Sequence, residues 1–222
     1  MILSELTAKI RRRGLRNALR KASELFLFGR GRLLWLEREV GQAYETPPVS
    51  HNWTYRQITA DLLPAFDLHF ARHRKVFSDL IDEPGVQGIA ALDPEGNACA
   101  FLWYSDRDYY DRHYYRCWFP VEPGCVYLFA IEVAMAHRGS RLVYGAQDMF
   151  WQRMRATGVQ RVQAVVNARN ALTLKMLSHV GFRRLAWETR FYTLFGSLRF
   201  TFHPQAVQAR IQERGDCRKG FG

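Results

Sequence analysis

The sequence predicts an α/β domain in which a sheet is flanked by helices. From Trp53 onward, apolar segments of strand length alternate with segments of helical periodicity. Two turn signals, at residues 93–97 and 196–197, each separate two strand-like segments and indicate antiparallel hairpins. The chain has 222 residues and is 48% hydrophobic, a composition that excludes a disordered protein.

The predicted elements begin after a stiff Thr-Pro-Pro linker at residues 46–48. Strands are predicted at residues 53–59, 88–92, 98–104, 125–135, 160–167, 184–194 and 198–203. Helical segments are predicted at residues 62–81, in one or two pieces, and at 141–157 and 171–180. The strand at 125–135 is almost wholly apolar and should therefore be central in the sheet.

Charge and composition divide the chain into three parts: a basic amphipathic arm over residues 1–46, a domain over 51–203 and a polar tail over 204–222. Residues 1–40 contain ten Lys or Arg and four Glu, a net charge of +6 out of +11 for the whole chain. Their apolar residues recur at helical spacing, and the apolar stripe changes face at Gly14. The pattern predicts two short helical pieces.

Three roles remain open for this basic arm. It could pack on the main domain with its charged face in solvent, or lie on an anionic membrane with residues 25–28 and Trp35 inserted. Nucleic-acid binding is the third role, although no helix-turn-helix, zinc-finger or RNA-binding motif supports it. The N-terminal segment does not have the pattern of a secretory leader, and the sequence therefore predicts a cytoplasmic protein. If the arm lies on a membrane, the protein is expected to be peripheral at its inner face.

The cysteine pattern predicts free thiols and no metal site. The four cysteines, at positions 99, 117, 125 and 217, form no C-x-x-C pair. No apolar run approaches the length of about 18 residues that a membrane span needs.

The most informative segment runs from Cys125 to Phe182. A buried strand ends in an Arg/Gly turn from which a helix starts, an arrangement that aims backbone N–H groups at a phosphate. Strict alternation places Tyr127, Phe129, Ile131 and Val133 on one face of this strand and Glu132 on the other. A carboxylate on a central strand is costly unless it is paired or used in chemistry.

These residues resemble the GNAT superfamily of acyl-CoA-dependent N-acyltransferases. The family's strand, Arg/Gly loop and helix correspond to VAMAHRGSRL at residues 133–142, and Asn170 lies eleven residues before Gly181-Phe182. The order of elements also matches over residues 53–203. The resemblance implies a GNAT-type α/β (α+β) fold, with a mixed, largely antiparallel sheet flanked by helices. It implies transfer of an acyl group, most simply acetyl, from acyl-CoA to a primary amine.

The resemblance also implies roles for individual residues. Backbone groups of Ile131 and Val133 would pair with pantetheine, and Asn170 would contact the pantetheine arm. The pyrophosphate would lie on the loop formed by Arg138, Gly139, Ser140, Arg141 and Leu142. Glu132 would be the general base, with a structural carboxylate paired to an arginine as its alternative. No metal is implied.

The sequence departs from the family pattern at three positions. Arg141 and Val143 stand where the family has small residues, and Leu177 stands where it often has a tyrosine that protonates the leaving thiolate. These departures favour the alternative of a GNAT-like fold that binds a ligand or a partner without catalysis.

A second unusual segment, residues 104–120, holds three Asp, three Arg and His113, with six aromatic residues from Tyr109 to Phe119. It forms either an extended hairpin with aromatic pairs or an acceptor pocket, with aromatic faces for a sugar or apolar body and acids for an amine; an envelope precursor such as an amino sugar is the substrate expected near a membrane. In the second case His113 is an alternative base.

Overall fold

A computed structural model describes residues 28–42, 52–195, 198–205 and 208–209. Its strands are β1 (Phe28–Glu39), β2 (Thr54–Gln57), β3 (Val86–Leu92), β4 (Ala98–Ser105), β5 (Tyr109–Tyr110), β6 (Trp118–Phe119), β7 (Cys125–Val133), β8 (Arg161–Asn167), β9 (Arg183–Leu194) and β10 (Leu198–Phe202). Its α-helices are α1 (Asp67–Phe70), α2 (Arg74–Ile81), α3 (Leu142–Ala156) and α4 (Ala171–His179). Three 3-10 turns lie at Ala60–Phe66, Ala71–His73 and Met135–His137.

Eight strands form one sheet in the order β10-β9-β1-β8-β7-β4-β3-β2. β7 and β8 run parallel, and the other neighbouring pairs are antiparallel. Strands β5 and β6 form a separate two-stranded ribbon. The predicted fold class, a mixed and largely antiparallel sheet flanked by helices, is confirmed. The predicted helical segment at 62–81 is also found, divided into four short pieces.

The sheet separates two apolar layers. One face carries the segment from Ile58 to Leu80 and the aromatic residues of β5 and β6, which pack on Trp35, Trp103 and Tyr127. The opposite face carries α3 and α4. Strands in the centre are buried on both sides; all eight residues of β4 are buried. The functional elements after residue 125 therefore stand on a rigid, doubly covered sheet.

The prediction of a separate arm over residues 1–46 is wrong for residues 28–39. This segment is strand β1, which lies between β8 and β9 in the sheet. Leu33 and Trp35 pack on one face, and Leu34 and Leu36 pack on the other, all four with 5% or less of their surface exposed. Trp35 is thus a core residue and not a membrane-inserting one. The predicted helical pieces and residues 25–27 lie outside the described residues.

Local chemistry explains why this segment is a strand. Its run of Leu, Leu, Trp and Leu has no polar face, and a short run that is apolar on both faces fits a central strand better than an amphipathic helix. Gly31 lets β9 approach closely, because a Cβ at this position would lie 2.1 Å from the Phe191 ring. Burial on both faces therefore determines the strand structure of this segment.

A bulge in β7 changes the side-chain alternation that the sequence predicts. Ala130 has φ +49°, and the pairing of β7 with β4 shifts between Phe129 and Glu132. Ile131 consequently packs in the same layer as Leu128, opposite to Phe129. The predicted common face of Tyr127, Phe129 and Ile131 is wrong beyond the bulge, and the Glu132 side chain turns toward the segment that precedes α2.

Two further expectations concern a membrane-spanning helix and the C-terminal tail. Within the described segments, no helix has the length and apolarity to span a membrane. The tail predicted for residues 204–222 lies almost entirely outside the described residues.

Candidate active site

The parallel strands β7 and β8 separate along their length. They pair over residues 125–128 of β7 and 161–164 of β8, and the described ladder ends at Leu128 and Ala164. Beyond that point a cavity of about 230 Å³ lies between them. It is lined by β7 from Tyr127 to Glu132, by β8 from Ala164 to Asn167, and by Asn170, Thr173 and Leu177 at α4. The separation leaves the facing edges of both strands available to a ligand.

The far wall of this cavity comes from the aromatic segment at residues 104–120. Asp111, Tyr114 and Tyr115 line the cavity, together with Phe101 of β4. The aromatic segment therefore borders the same space as the β7–β8 opening. Tyr109 stacks on Phe129 with ring centroids 4.4 Å apart, which fixes the segment against β7.

Glu132 lies in the cavity wall and is held by two neighbours. Its carboxylate is 2.5 Å from Arg72 Nη2 and 3.2 Å from His73 Nε2. The Glu132 side chain is 27% exposed, so it is neither fully buried nor in free solvent. The carboxylate thus borders the cavity and is also paired with an arginine, an arrangement that fits either predicted role.

His73 connects Glu132 to the aromatic wall. Its Nε2 lies 3.2 Å from a Glu132 carboxylate oxygen and 3.0 Å from Arg72 Nε, and its Nδ1 lies 3.5 Å from the Tyr114 hydroxyl. Partial burial raises the pKa of Tyr114, so its hydroxyl keeps its proton at neutral pH. Arg72 and His73 could not be predicted, because they lie in a turn far from the family motif, whereas Tyr114 belongs to the aromatic segment predicted as an acceptor pocket.

His113 does not line the cavity. Its Nε2 lies 3.5 Å from Asp79 of α2. The neighbouring Asp111 carboxylate accepts backbone N–H groups of His113, Tyr114 and Tyr115, at 3.1, 2.9 and 3.2 Å. Burial nevertheless raises the pKa of Asp111. These bonds give Asp111 a structural role in shaping the aromatic wall, and His113 lies beside that wall on the outside.

The predicted phosphate loop lies between β7 and α3. Arg138, Gly139, Ser140 and Arg141 are exposed, Gly139 has φ +88°, and the 15-residue helix α3 begins at Leu142. Arg138 Nε lies 3.5 Å from the Val133 carbonyl oxygen at the end of β7. The first N–H groups of α3 have no carbonyl partner in their own helix, and the helix dipole makes this end positive.

Val143 does not crowd this loop. Its side chain is 6% exposed and lies inside the domain, as does Leu142. Of the two departures from the family pattern in this loop, only Arg141 has an exposed side chain. The departure at position 143 therefore leaves the helix terminus accessible to an anion.

Asn170 begins α4 at the rim of the cavity. Its Oδ1 accepts the backbone N–H of Thr173 at 3.2 Å, which caps the helix. Asn167 makes a similar turn one step earlier, accepting from the Arg169 N–H. Leu177, in the same helix, also lines the cavity and is 1% exposed. The cavity thus has an apolar side chain at position 177, and its tyrosines come from β7 and from the aromatic segment.

A second group of chemically reactive side chains lies outside this cavity. His69 of α1, Cys99 of β4 and His137 of the turn after β7 place their ligand atoms within 4.8 Å of one another. Burial and the nearby Asp93 carboxylate raise the pKa of the Cys99 thiol to about 11. No spacing rule could reveal this group, because the three residues are far apart in the sequence.

Comparison with solved structures identifies the fold. A conserved protein of unknown function from Staphylococcus epidermidis is 9% identical, with 81% of this chain and 67% of that chain covered and a TM-score of 0.51. A tandem GNAT protein from the clavulanic acid biosynthesis pathway is 12% identical, with 83% and 59% covered and a TM-score of 0.52.

A third similar structure is a GCN5-related glucosamine N-acetyltransferase region in a fungal multi-domain beta-N-acetylglucosaminidase. It is 17% identical, with 83% of this chain and 23% of that chain covered and a TM-score of 0.52. The chain thus spans about three-fifths of the tandem GNAT protein and less than a quarter of the fungal enzyme. Neither protein-family models nor curated protein sequences give a match. The chain has the fold of the GNAT acetyltransferases, at 9–17% identity to these three structures.

Proposed function

We propose that the protein is an N-acyltransferase that moves an acyl group, most simply acetyl, from acyl-CoA to a primary amine. The observation that carries the proposal is the opening between β7 and β8, at which two parallel strands stop pairing and line a cavity with their free edges. An extended amide chain such as pantetheine can hydrogen-bond to a free strand edge as an added strand does. The loop at residues 138–141 supports the same proposal, since a positive helix end suits a pyrophosphate.

In this proposal the acyl-CoA lies along β7 with its thioester near the bulge. Ile131 and Glu132 border the cavity, and Ala130 is held at positive φ. A strained, re-aimed backbone next to a cavity is a common feature of functional sites. A backbone N–H of β7 aimed at the thioester oxygen would stabilise the oxyanion that forms when the amine attacks.

Two proton transfers complete the reaction. The substrate ammonium must lose a proton before its nitrogen can attack, and Glu132, beside Arg72 and His73, is the proposed acceptor. When the carbon–sulfur bond breaks, the thiolate needs a proton, and the Tyr114 hydroxyl is the proposed donor. Tyr114 would take over the role that the family often gives to the position of Leu177.

The acceptor is proposed to be a small amine with an apolar face. Tyr114, Tyr115, Tyr127 and Phe129 give the cavity aromatic walls, on which the face of a sugar ring can pack. The similarity in fold to a glucosamine N-acetyltransferase region is compatible with an amino sugar. An envelope precursor near an anionic membrane remains the more specific form of this proposal, with residues 1–27 as the membrane-binding segment.

One observation favours a second function, ligand binding without chemistry. The Glu132 carboxylate is already paired with Arg72, and position 177 has no hydroxyl. A protein of this kind would bind acyl-CoA and release no free thiol.

A turnover assay distinguishes the two functions. The wild-type protein is incubated with acetyl-CoA and a panel of primary amines that includes glucosamine, and free CoA thiol is measured. Glu132→Gln should lower the turnover rate by about 10²–10⁴-fold, the usual contribution of a general base. Glu39→Gln is the matched control, because Glu39 is 65% exposed and lies on β1. Thiol release that is equal in wild type and Glu132→Gln would remove Glu132 from the mechanism, and no release with any amine would favour the binding function.

A further inference from the structure

A His-Cys-His group lies behind the start of the phosphate loop, outside the cavity. His69 is on α1, Cys99 is on β4, and His137 is the last residue before Arg138. The rings of His69 and His137 meet edge to face with centroids 5.4 Å apart. Cys99 is completely buried and the two histidines are partly buried, so the group is shielded from bulk solvent.

The types and distances of these side chains fit a transition-metal ion. Imidazole nitrogen and thiolate sulfur are preferred ligands of Zn²⁺, at about 2.0–2.3 Å from the metal. Donors in a tetrahedral site then lie about 3.3–3.8 Å apart. The ligand atoms here all lie within 4.8 Å of one another, so small rotations of the two imidazoles would close the site.

The surroundings also fit such a site. The Cys99 sulfur lies 3.8 Å from Asp93 Oδ2, and this carboxylate is oriented by the backbone and side-chain N–H groups of Asn97. Trp53 packs edge to face on His137, with the two ring centroids 5.3 Å apart.

We propose that His69, Cys99 and His137 bind one divalent ion of zinc type, with water in the fourth position. Binding would release the Cys99 thiol proton to solvent and would join three separate elements, α1, β4 and the turn after β7. Because His137 is adjacent to Arg138, the bound ion would hold the start of the phosphate loop in place. This inference concerns residues that the proposed acyl transfer does not use, so the two can fail independently.

Metal titration of the full-length protein tests the inference. After removal of metal with a chelator, Zn²⁺ binding is measured by calorimetry, and Co²⁺ is used as a coloured probe for thiolate coordination. We expect one equivalent per chain and a thiolate–Co²⁺ charge-transfer band. Cys99→Ser and His137→Ala should each weaken Zn²⁺ binding by more than about 100-fold. Loss of a residue that only hydrogen-bonds to a metal ligand already lowers metal affinity by about 10–100-fold.

Cys117→Ser is the matched control, because Cys117 is also a buried cysteine and lies on a different part of the fold. It should bind Zn²⁺ as the wild type does. Circular dichroism confirms that each variant is folded, and the partly buried His137→Ala decides the matter if Cys99→Ser does not fold. A wild type without stoichiometric Zn²⁺ binding, or folded His137→Ala that binds as tightly as wild type, would overturn the inference.

Discussion

The two edges of strand β8 have opposite properties. On one edge β8 pairs with β1 over its whole length, from Arg161 to Asn167. On the other edge it pairs with β7 only as far as Ala164. The closed edge is filled by fully buried side chains such as Leu33 and Trp35, whereas the open edge borders the candidate active site.

A glutamate beside each edge shows the same difference. Glu37, on β1, is 8% exposed and is bound by Gln163, Arg161 and Arg183. Glu132, on β7, is 27% exposed and borders the cavity. Both are carboxylates on central strands, yet one has protein partners around it and the other also faces open space. A buried charge alone therefore does not identify a catalytic residue; the cavity beside it does.

The largest expected effect follows from deletion of β1, the strand that pairs with the closed edge of β8. A chain that begins at His51 lacks β1, and its β8 and β9 lose the strand that joins them. We expect this chain to be unfolded or aggregated, because exposed apolar strand edges associate. Far-ultraviolet circular dichroism and size-exclusion chromatography measure this. A monomeric, cooperatively unfolding product would show that the sheet does not need β1.

The next effect concerns a single core residue on the same edge. Trp35→Ala should lower the free energy of unfolding by about 3–5 kcal/mol, as is usual when a buried tryptophan is truncated. Trp35 contacts Phe119 and Trp187 and donates its indole N–H to Thr189. Chemical denaturation measures the loss, and Trp118→Ala, on the small β5–β6 ribbon, should lose less. Equal losses would mean that β1 is no more important to the core than the ribbon.

Substitution of the two glutamates should separate stability from activity. Glu37→Gln should lower the free energy of unfolding by about 1–3 kcal/mol, because it weakens buried hydrogen bonds to charged partners. Glu132→Gln should lower it by about 0–1 kcal/mol, since its partner Arg72 is 70% exposed. Chemical denaturation and the thiol-release assay are applied to both variants. If Glu37→Gln reduces turnover per folded molecule as strongly as Glu132→Gln does, the proposed contrast is wrong.

The smallest expected effect is a pH dependence of the free energy of unfolding that arises from His203, beside β9. Burial lowers the pKa of His203, whose Nδ1 lies 3.2 Å from the Thr189 hydroxyl. The folded state therefore favours neutral His203, and the unfolded state takes up the proton first as the pH falls. The free energy of unfolding should decrease below about pH 6.5, the ordinary histidine pKa, toward the lower folded-state pKa. His203→Gln should show a weaker pH dependence in this range; an unchanged slope would exclude His203 as its source.

The sequence was sufficient for elements whose periodicity agrees with their burial. The hairpin β3–β4, strand β7, helix α3 and helix α4 begin and end within two residues of the predicted positions. Strand β1 was missed because its neighbours upstream are basic and helically spaced, although its apolar run of Leu33 to Leu36 was a usable signal. A bulge such as that at Ala130 leaves no mark in the alternation of residue types, so the direction of Ile131 could not be foreseen.

Only part of the candidate site could be predicted from the sequence, because some of its residues are far apart in the chain. Glu132 and Asn170 stand in a motif with recognisable spacing, and both border the cavity. Arg72, His73 and Tyr114 reach it from segments distant in the chain, and only the tertiary fold brings them to Glu132. His113 is near in sequence to Tyr114, yet its ring points to Asp79.

Binding of acetyl-CoA tests the central claim, that the open edge between β7 and β8 is an acyl-CoA site. Isothermal titration calorimetry at low salt should show one equivalent bound per chain of wild type. Arg138→Glu should weaken this binding at least tenfold, because it places a negative charge beside the pyrophosphate at the start of α3. Arg155→Glu, the same charge change at the exposed far end of α3, should bind as wild type does. The absence of binding by wild type, or equal weakening by both substitutions, would contradict the account.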